Sequence, residues 1–342
     1  MIWIRADANS EIGTGHVMRC LSVAKEMQQR GNEVCFILAD DFPVKMLQDR
    51  KMNYKVLHTR YERPEEELPV LCQWLEQEKP QLLLVDSYFV SKEYLEQIAG
   101  YTKVAYMDDF CHTEYPVDVL VNYNIYGDML PYRDNMAKED VELLLGTKYV
   151  PLREEFRNTE YTLRKTAEHV LITTGGSDKY NLAGLIVEKA MKNKELCGLQ
   201  YHVISGMFNQ NLSFLRELEE KYPNVHIHQN VTDMAELMKQ CDVAITAGGS
   251  TMYELCAVGV PMIAFSFVEN QKRQVETFAK RELVSFGGDY ESQRETMMDE
   301  VMIYLKKLAG SFEERKKYSE RGKAIVDGHG AGRIAEKLIK TK

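Results

Sequence analysis

Two α/β domains, each a doubly wound parallel sheet, are predicted by three features of this 342-residue chain. Short apolar runs alternate with longer amphipathic stretches in both halves. Each half opens on a strand, a glycine turn and a helix. Between the halves, "GTKYVPLREEFRNTEYTLRKTAE" at 146–168 breaks the rhythm with a polar, mixed stretch suited to an interdomain crossing. Such alternation places helices on both faces of a parallel sheet. The expected domains are 1–150 and 151–342, facing across a cleft with the ligand beyond the strand C-termini.

In the first half, "MIWIRA", "EVCFIL", "QLLLVDS", "KVAYMDD" and "VDVLVN" read as buried strands ending near polar residues. Helical stretches fall at 15–30, 65–78 and 92–100. In the second half, "EHVLITT" runs into Gly175-Gly176-Ser177-Asp178 and a helix starting near 181. "LQYHVIS", "VHIHQ", "DVAITA" and "PMIAFSF" supply further strands. Charged helices at 291–308, 312–325 and 331–340 are expected to pack on the outside of the second domain.

A composition of 44% apolar and 28% charged residues belongs to a globular chain, not a disordered one. The net charge of −9, with no basic block beyond the helical "EERKKYSERGK", argues against a nucleic-acid partner. No apolar run approaches the ~18 residues of a membrane span, and Arg5 and Asp7 stand where a signal peptide would be apolar. The seven scattered cysteines read as free thiols of a reducing cytosol, so a cytoplasmic location is expected. Oligomeric state is not indicated.

The N-terminal "RADANSEIGTGHVMRC" carries the first chemical signal. Gly13-Thr14-Gly15 turns the chain after its first strand, and His16 opens a helix with Val17, Leu21, Ala24 and Met27 at apolar spacing. Glycines admit a ligand to the backbone, and the first helical turn offers free N–H groups. His16 is then either a cap or a base. Asp7, Asp86, Tyr88, Asp109, Asn122 and Asn124 all follow strand ends, as loop caps or as ligand contacts. Asp108-Asp109 lacks a third ligand at metal-like spacing. Neither a metal nor another cofactor is expected.

"DVAITAGGSTMYELCAVGVP", residues 242–261, repeats the device. Gly248-Gly249 turns the chain, and Ser250-Thr251 open a helix whose positive end suits a diphosphate. Glu254 lies one helical turn on, where its carboxylate can accept both hydroxyls of a ribose. Upstream, Asp233 and Glu236 have capping-box spacing, and Val231 offers backbone hydrogen bonds to a base.

From Val231 through "ENQ" (Glu269-Asn270-Gln271) the sequence is similar to the nucleotide-binding half of MurG-like GT-B glycosyltransferases. That resemblance implies uracil at Val231–Met234, the diphosphate at Gly248, Gly249, Ser250 and Thr251, ribose at Glu254, and further UDP contacts at Asn270 and Gln271. "RADANSEIGTGHVMRC", "PLREEF", "GGSD" and "AGGSTMYE" together resemble the UDP-2,4-diacetamido-2,4,6-trideoxy-β-L-altropyranose hydrolases, the PseG family, along the whole chain. Asn9 stands where that family has a small residue, and "VDSY" where "VDHY" is commoner.

The resemblance implies a GT-B fold and hydrolysis at the sugar C1–O bond with inversion, giving UDP and the free sugar used for pseudaminic acid. His16 matches the family's catalytic base. The positive helix end favours the uncharged imidazole, the form that accepts a proton. UDP is a good leaving group, so a general acid is less necessary than in ordinary glycoside hydrolysis. Asp7, Gly13, Thr14, Gly15, Asp86, Tyr88, Asn122 and Arg153 are the expected sugar-binding or orienting residues, with Asp7 placed either to orient His16 or to hold a sugar hydroxyl. A GT-B glycosyltransferase and a non-catalytic UDP-sugar-binding protein are the rival readings. The first would favour an apolar, basic membrane-docking patch, and the second would not need His16.

Overall fold

The computed structural model describes residues 1–341, with all their side chains except that of Asn270. The chain divides into two compact units: Met1–Arg153 together with the chain from His329 on, and Glu154–Gly328.

The first unit is a seven-stranded parallel sheet in the order β3-β2-β1-β4-β5-β6-β7. Its strands are β1 (Ile2–Ala6), β2 (Val34–Leu38), β3 (Asn53–Val56), β4 (Leu82–Asp86), β5 (Lys103–Met107), β6 (Val119–Asn122) and β7 (Glu142–Leu145). The helices between them are α1 (Gly15–Gln29), α2 (Val44–Gln48), α3 (Leu68–Glu78) and α4 (Lys92–Ala99). β1, β2 and β4 are buried at every residue, as central strands covered on both faces must be. Strand order reverses between β1 and β4, which share a register from Ile2↔Leu82 to Ala6↔Asp86. The carboxyl ends of adjacent strands diverge at such a switch point and leave room for a ligand.

The turn into α1 is built by its own side chains. Asn9 Oδ1 accepts from the N–H groups of Glu11 (2.8 Å) and Ile12 (2.9 Å), and Asn9 N donates to Gly13 O (3.1 Å). Gly13 has φ +74°, which a side chain would strain.

The second unit is a six-stranded parallel sheet in the order β10-β9-β8-β11-β12-β13. Its strands are β8 (His169–Thr173), β9 (Gln200–Ser205), β10 (Val225–Gln229), β11 (Val243–Ala247), β12 (Met262–Ser266) and β13 (Ser285–Asp289). Its helices are α5 (Leu182–Met191), α6 (Leu212–Lys221), α7 (Met234–Lys239), α8 (Thr251–Val258), α9 (Glu269–Lys280), α10 (Arg294–Gly310) and α11 (Phe312–Ile325). Ile172, Val203 and Ile245 pack against Ile186, Leu215, Val301 and Leu305 in one core. Buried Arg315 donates to the carbonyls of Leu308, Arg164 and Lys165, tying the segment ahead of β8 to the α10–α11 corner.

The last helix, α12 (Gly330–Lys340), corrects the expected boundary. Its place in the sequence assigns it to the second domain, but it packs on α1 of the first unit. The reason lies in its buried stripe, Ala331, Ile334, Ala335 and Leu338, which covers a helix already apolar toward the sheet. Arg333 donates to Lys148 O and Lys337 pairs with Glu142. Among the described residues no helix is long and apolar enough to cross a membrane.

Three parallel strands of the second unit carry a chain of imidazoles. His169 Nδ1 lies 2.9 Å from His202 Nε2, and His202 Nδ1 lies 3.0 Å from His228 Nε2. His226, opposite His202 in register, bonds Gln200 Oε1. Burial, then His228, His169 and His226, push His202 down to about 4, and burial and His226 lower His228 despite Glu219 on α6, whose partner Arg216 acts with them. Unfolded histidines titrate near 6.5, so below that pH the unfolded chain binds more protons than the folded one. Stability is complete above pH 6.5 and falls as pH drops toward 4. Hydrogen exchange in β8–β10 is expected to report a loss on the order of 2 kcal/mol between pH 7.5 and 4.5, blunted in His202→Gln. An equal loss in both proteins would rule the chain out as its cause.

Candidate active site

Five side chains at and beyond the carboxyl ends of β4, β5 and β6 close a network with two on the first turns of α1. His16, 6% exposed, places Nδ1 2.6 Å from Asp86 Oδ1. Arg19, three residues on and so on the same helix face, grips that carboxylate with both arms of its fork: Nε to Oδ2 at 2.6 Å and Nη2 to Oδ1 at 2.5 Å. Its Nη1 donates to Tyr123 OH (2.7 Å) and lies 3.3 Å from Asp109 Oδ2. Tyr88 OH donates to Asp109 Oδ2 (2.7 Å), and Asn124 Nδ2 to Asp109 Oδ1 (2.6 Å). The edge of the Tyr88 ring meets the His16 ring with centroids 4.4 Å apart.

Burial alone would raise the Asp86 carboxyl, but the Arg19 guanidinium, and then the hydrogen-bonding His16 ring, outweigh it and hold the group well below the usual carboxylate range. An ionised carboxylate only accepts, so Nδ1 of His16 is the donor, and in the neutral ring Nε2 carries the free lone pair. Nε2 has no hydrogen-bond partner among the described residues. The arrangement is an oriented imidazole with one nitrogen ready to accept a proton.

Of the two roles open to Asp7, orienting His16 is corrected. Its Oδ2 accepts from Arg5 Nη1 (2.5 Å) and its Oδ1 from Ala39 N (2.9 Å), so both oxygens serve the β1–β2 junction, and Asp86 is the carboxylate that meets the histidine. Asn122 is also a scaffold residue. It is fully buried, donating to Tyr132 OH and accepting from Asn124 N and Nδ2. Gly13 and Gly15 have no atom within 4 Å of where a Cβ would sit, leaving the turn open to a ligand. Thr14 is the N-cap of α1 and makes no side-chain cap bond. Arg153 is half-buried at the end of the first unit.

Sequence reasoning missed Arg19 and Tyr123, although the i,i+3 spacing of Arg19 from His16 was there to read. It also missed an aromatic rim: Tyr88 packs on Phe110 (5.2 Å between centroids), Phe110 stacks on His112 (5.0 Å), and Phe89 meets Tyr61 (5.4 Å).

In the second unit the two glycines after β11 do different things. A Cβ on Gly248 would lie 2.4 Å from Val275 Cγ2 and 2.9 Å from Gln271 Cβ, so this glycine lets α9 close on the turn. Gly249 has no atom within 4 Å of its own Cβ position. Gln274 Nε2 holds Gly249 O (2.9 Å), and Tyr253 OH donates to Gln274 Oε1 (3.2 Å). Ser250 caps α8 by position, without a side-chain cap bond, and Thr251 and Glu254 follow half-buried in its first turn. Gly248→Ala is expected to destabilise the second unit by about 1–3 kcal/mol in denaturant. Gly249→Ala should keep its stability.

Two expectations for this unit are narrowed. Gln271 gives its carbonyl oxygen to Phe267 N (3.2 Å), and the Met234 amide donates to Glu155 Oε1 (3.0 Å), so neither group is open to a nucleotide. Val231 is half-buried ahead of α7, and the Asn270 side chain lies outside the described residues. Asp178 caps α5 through the amides of Leu182 and Ala183. Among the described residues no group of three or more His, Cys, Asp or Glu is placed to hold a metal ion.

The whole chain superimposes on Acinetobacter baumannii MurG with a TM-score of 0.68 at 15% identity, covering 99% of this chain and 100% of that one. The fold is GT-B. Its second unit contains the match to the glycosyltransferase family 28 C-terminal domain, over residues 169–326. Two relatives match most of this chain at low identity. The spore coat polysaccharide biosynthesis protein SpsG of Bacillus subtilis is 27% identical over 340 residues, 97% of this chain and 96% of its own. The UDP-2,4-diacetamido-2,4,6-trideoxy-β-L-altropyranose hydrolase of Campylobacter jejuni is 26% identical over 282 residues, 82% of this chain and 96% of its own.

Proposed function

We propose that this chain is a UDP-sugar hydrolase, acting on UDP-2,4-diacetamido-2,4,6-trideoxy-β-L-altropyranose or a close relative. The observation that carries the reading is the buried His16–Asp86 pair with Nε2 of the ring left as a proton acceptor; similarity to the Campylobacter jejuni hydrolase supports the substrate. His16 Nε2 takes a proton from water as the water oxygen bonds to C1 of the sugar. The C1–O bond breaks on the opposite face, and its electron pair leaves on the β-phosphate of UDP. One displacement inverts C1.

The division of charge supports the same reading. Asp7, Glu67, Asp86 and Asp109 are buried in the first unit with Arg5 and Arg19 as their cations, and buried Asp108 is held by the Cys111 amide and two tyrosine hydroxyls, an acidic surrounding that repels a diphosphate. The N-terminus of α8, behind Gly249 and Ser250, is the natural diphosphate site, with Glu254 toward the ribose. In the first unit the Tyr88 ring and the open Gly13–Gly15 turn support contacts to a neutral sugar. One alternative has specific support: the family 28 match over residues 169–326 favours glycosyl transfer to an acceptor.

Incubation with the UDP-sugar in ¹⁸O-water, without acceptor, separates these readings. Hydrolysis predicts rapid UDP release with the label on the sugar. Label on the UDP phosphate would mean P–O cleavage. Bound UDP-sugar without turnover would favour the transferase or a binding protein.

A further inference from the structure

We propose that Arg19 is the positioning residue of the His16 site, clamping Asp86 in the orientation that fixes the ring's tautomer while cancelling that carboxylate's charge. The inference rests on His16 acting as the base, and it extends that reading to a residue with no other assigned role.

A bare Asp–His pair has two weaknesses as a base. The carboxylate can rotate, which frees the ring to exchange tautomers, and its full negative charge holds the imidazolium once formed. Arg19 removes both. Its two parallel hydrogen bonds to Asp86, at 2.6 and 2.5 Å, use the planar fork that only arginine offers. The guanidinium is fixed from the far side by Tyr123 OH and Asp109, and its side chain is only 10% exposed. Nη2 comes within 3.2 Å of His16 Nδ1. Both are donors, so each directs its hydrogen to Asp86 Oδ1, and the cation sits beside the ring as a standing repulsion against a second proton.

The charged and titratable groups that touch His16 are Asp86 at the end of β4, Arg19 on α1 and Tyr88, and behind them stand Cys20 on Asp86, Asp109 on Tyr88 and Tyr123 on Arg19. Arg19 is the one cation in this set. Removing it leaves the imidazole against an uncancelled carboxylate.

The test is an NMR titration of the His16 ring in the full chain, assigned by its loss in His16→Gln, beside the pH profile of UDP release. In Arg19→Gln the titration midpoint is expected to rise by about one pH unit or more, and the acid limb of the kcat/KM profile should follow it. Arg19→Lys keeps the charge without the fork. Its midpoint should stay near that of the parent, while ¹⁵N shifts reveal a second ring tautomer and kcat falls at least about tenfold. Should Arg19→Gln not fold, the tautomer readout in Arg19→Lys decides. An unmoved midpoint in Arg19→Gln, or a single unchanged tautomer in Arg19→Lys, overturns the proposal. If the midpoint moves but no form releases UDP, the hydrolase reading fails and the role of Arg19 stands.

Discussion

His16→Ala is expected to slow UDP release by about 10²- to 10⁴-fold, the range for removal of a positioned general base, with UDP affinity unchanged. The fold should survive, because the partner left behind is not orphaned. Asp86 keeps both hydrogen bonds from Arg19, so no buried carboxylate loses its compensating charge. UDP affinity should persist because the Gly248–Glu254 turn belongs to the second unit, while His16 belongs to the first. Steady-state rates with and without the histidine, set beside calorimetric titration of UDP, make the check. A rate within threefold of the parent would remove His16 from the mechanism.

Glu67→Ala is expected to cost about 3–5 kcal/mol of stability, as the loss of one partner from a buried ion pair does. Arg5 and Glu67 are 1% and 0% exposed. Two parallel bonds of 2.7 Å join them, and Tyr94 OH donates to the same carboxylate at 2.5 Å. Removing the carboxylate leaves the Arg5 cation on Asp7 alone and the Tyr94 hydroxyl without its acceptor. Such a loss is a large share of the roughly 5–15 kcal/mol that keeps a domain folded. Glu67→Gln, which retains an acceptor, should cost clearly less. Urea denaturation followed by the fluorescence of Trp3 and Trp74, both in this unit, gives the comparison. A cost below about 1 kcal/mol for Glu67→Ala would mean that Asp7 suffices to hold Arg5.

The central strands were legible because burial on both faces forces unbroken apolar runs such as "LLLVD" and "VAITA". The edges were not. β3 reads "NYKV", with an exposed asparagine and half-exposed neighbours, and β13 reads "SFGGD", whose paired glycines imitate a turn. β7 was hidden by the polar segment ahead of it. At the site, the glycine turns and His16 could be read because they are local in sequence. The partners of His16 could not be ranked in the same way. Asp7 and Asp86 both end strands beside one another, and only the fork of Arg5 on one and that of Arg19 on the other separates scaffold from site.

The return of α12 to the first unit fixes an order of events during synthesis. All 175 residues of Glu154–Gly328 emerge before the segment that completes the N-terminal unit. The second unit is therefore able to fold while the first still lacks the cover on α1. The helix that presents His16 is made before the second unit and is fully enclosed only after it.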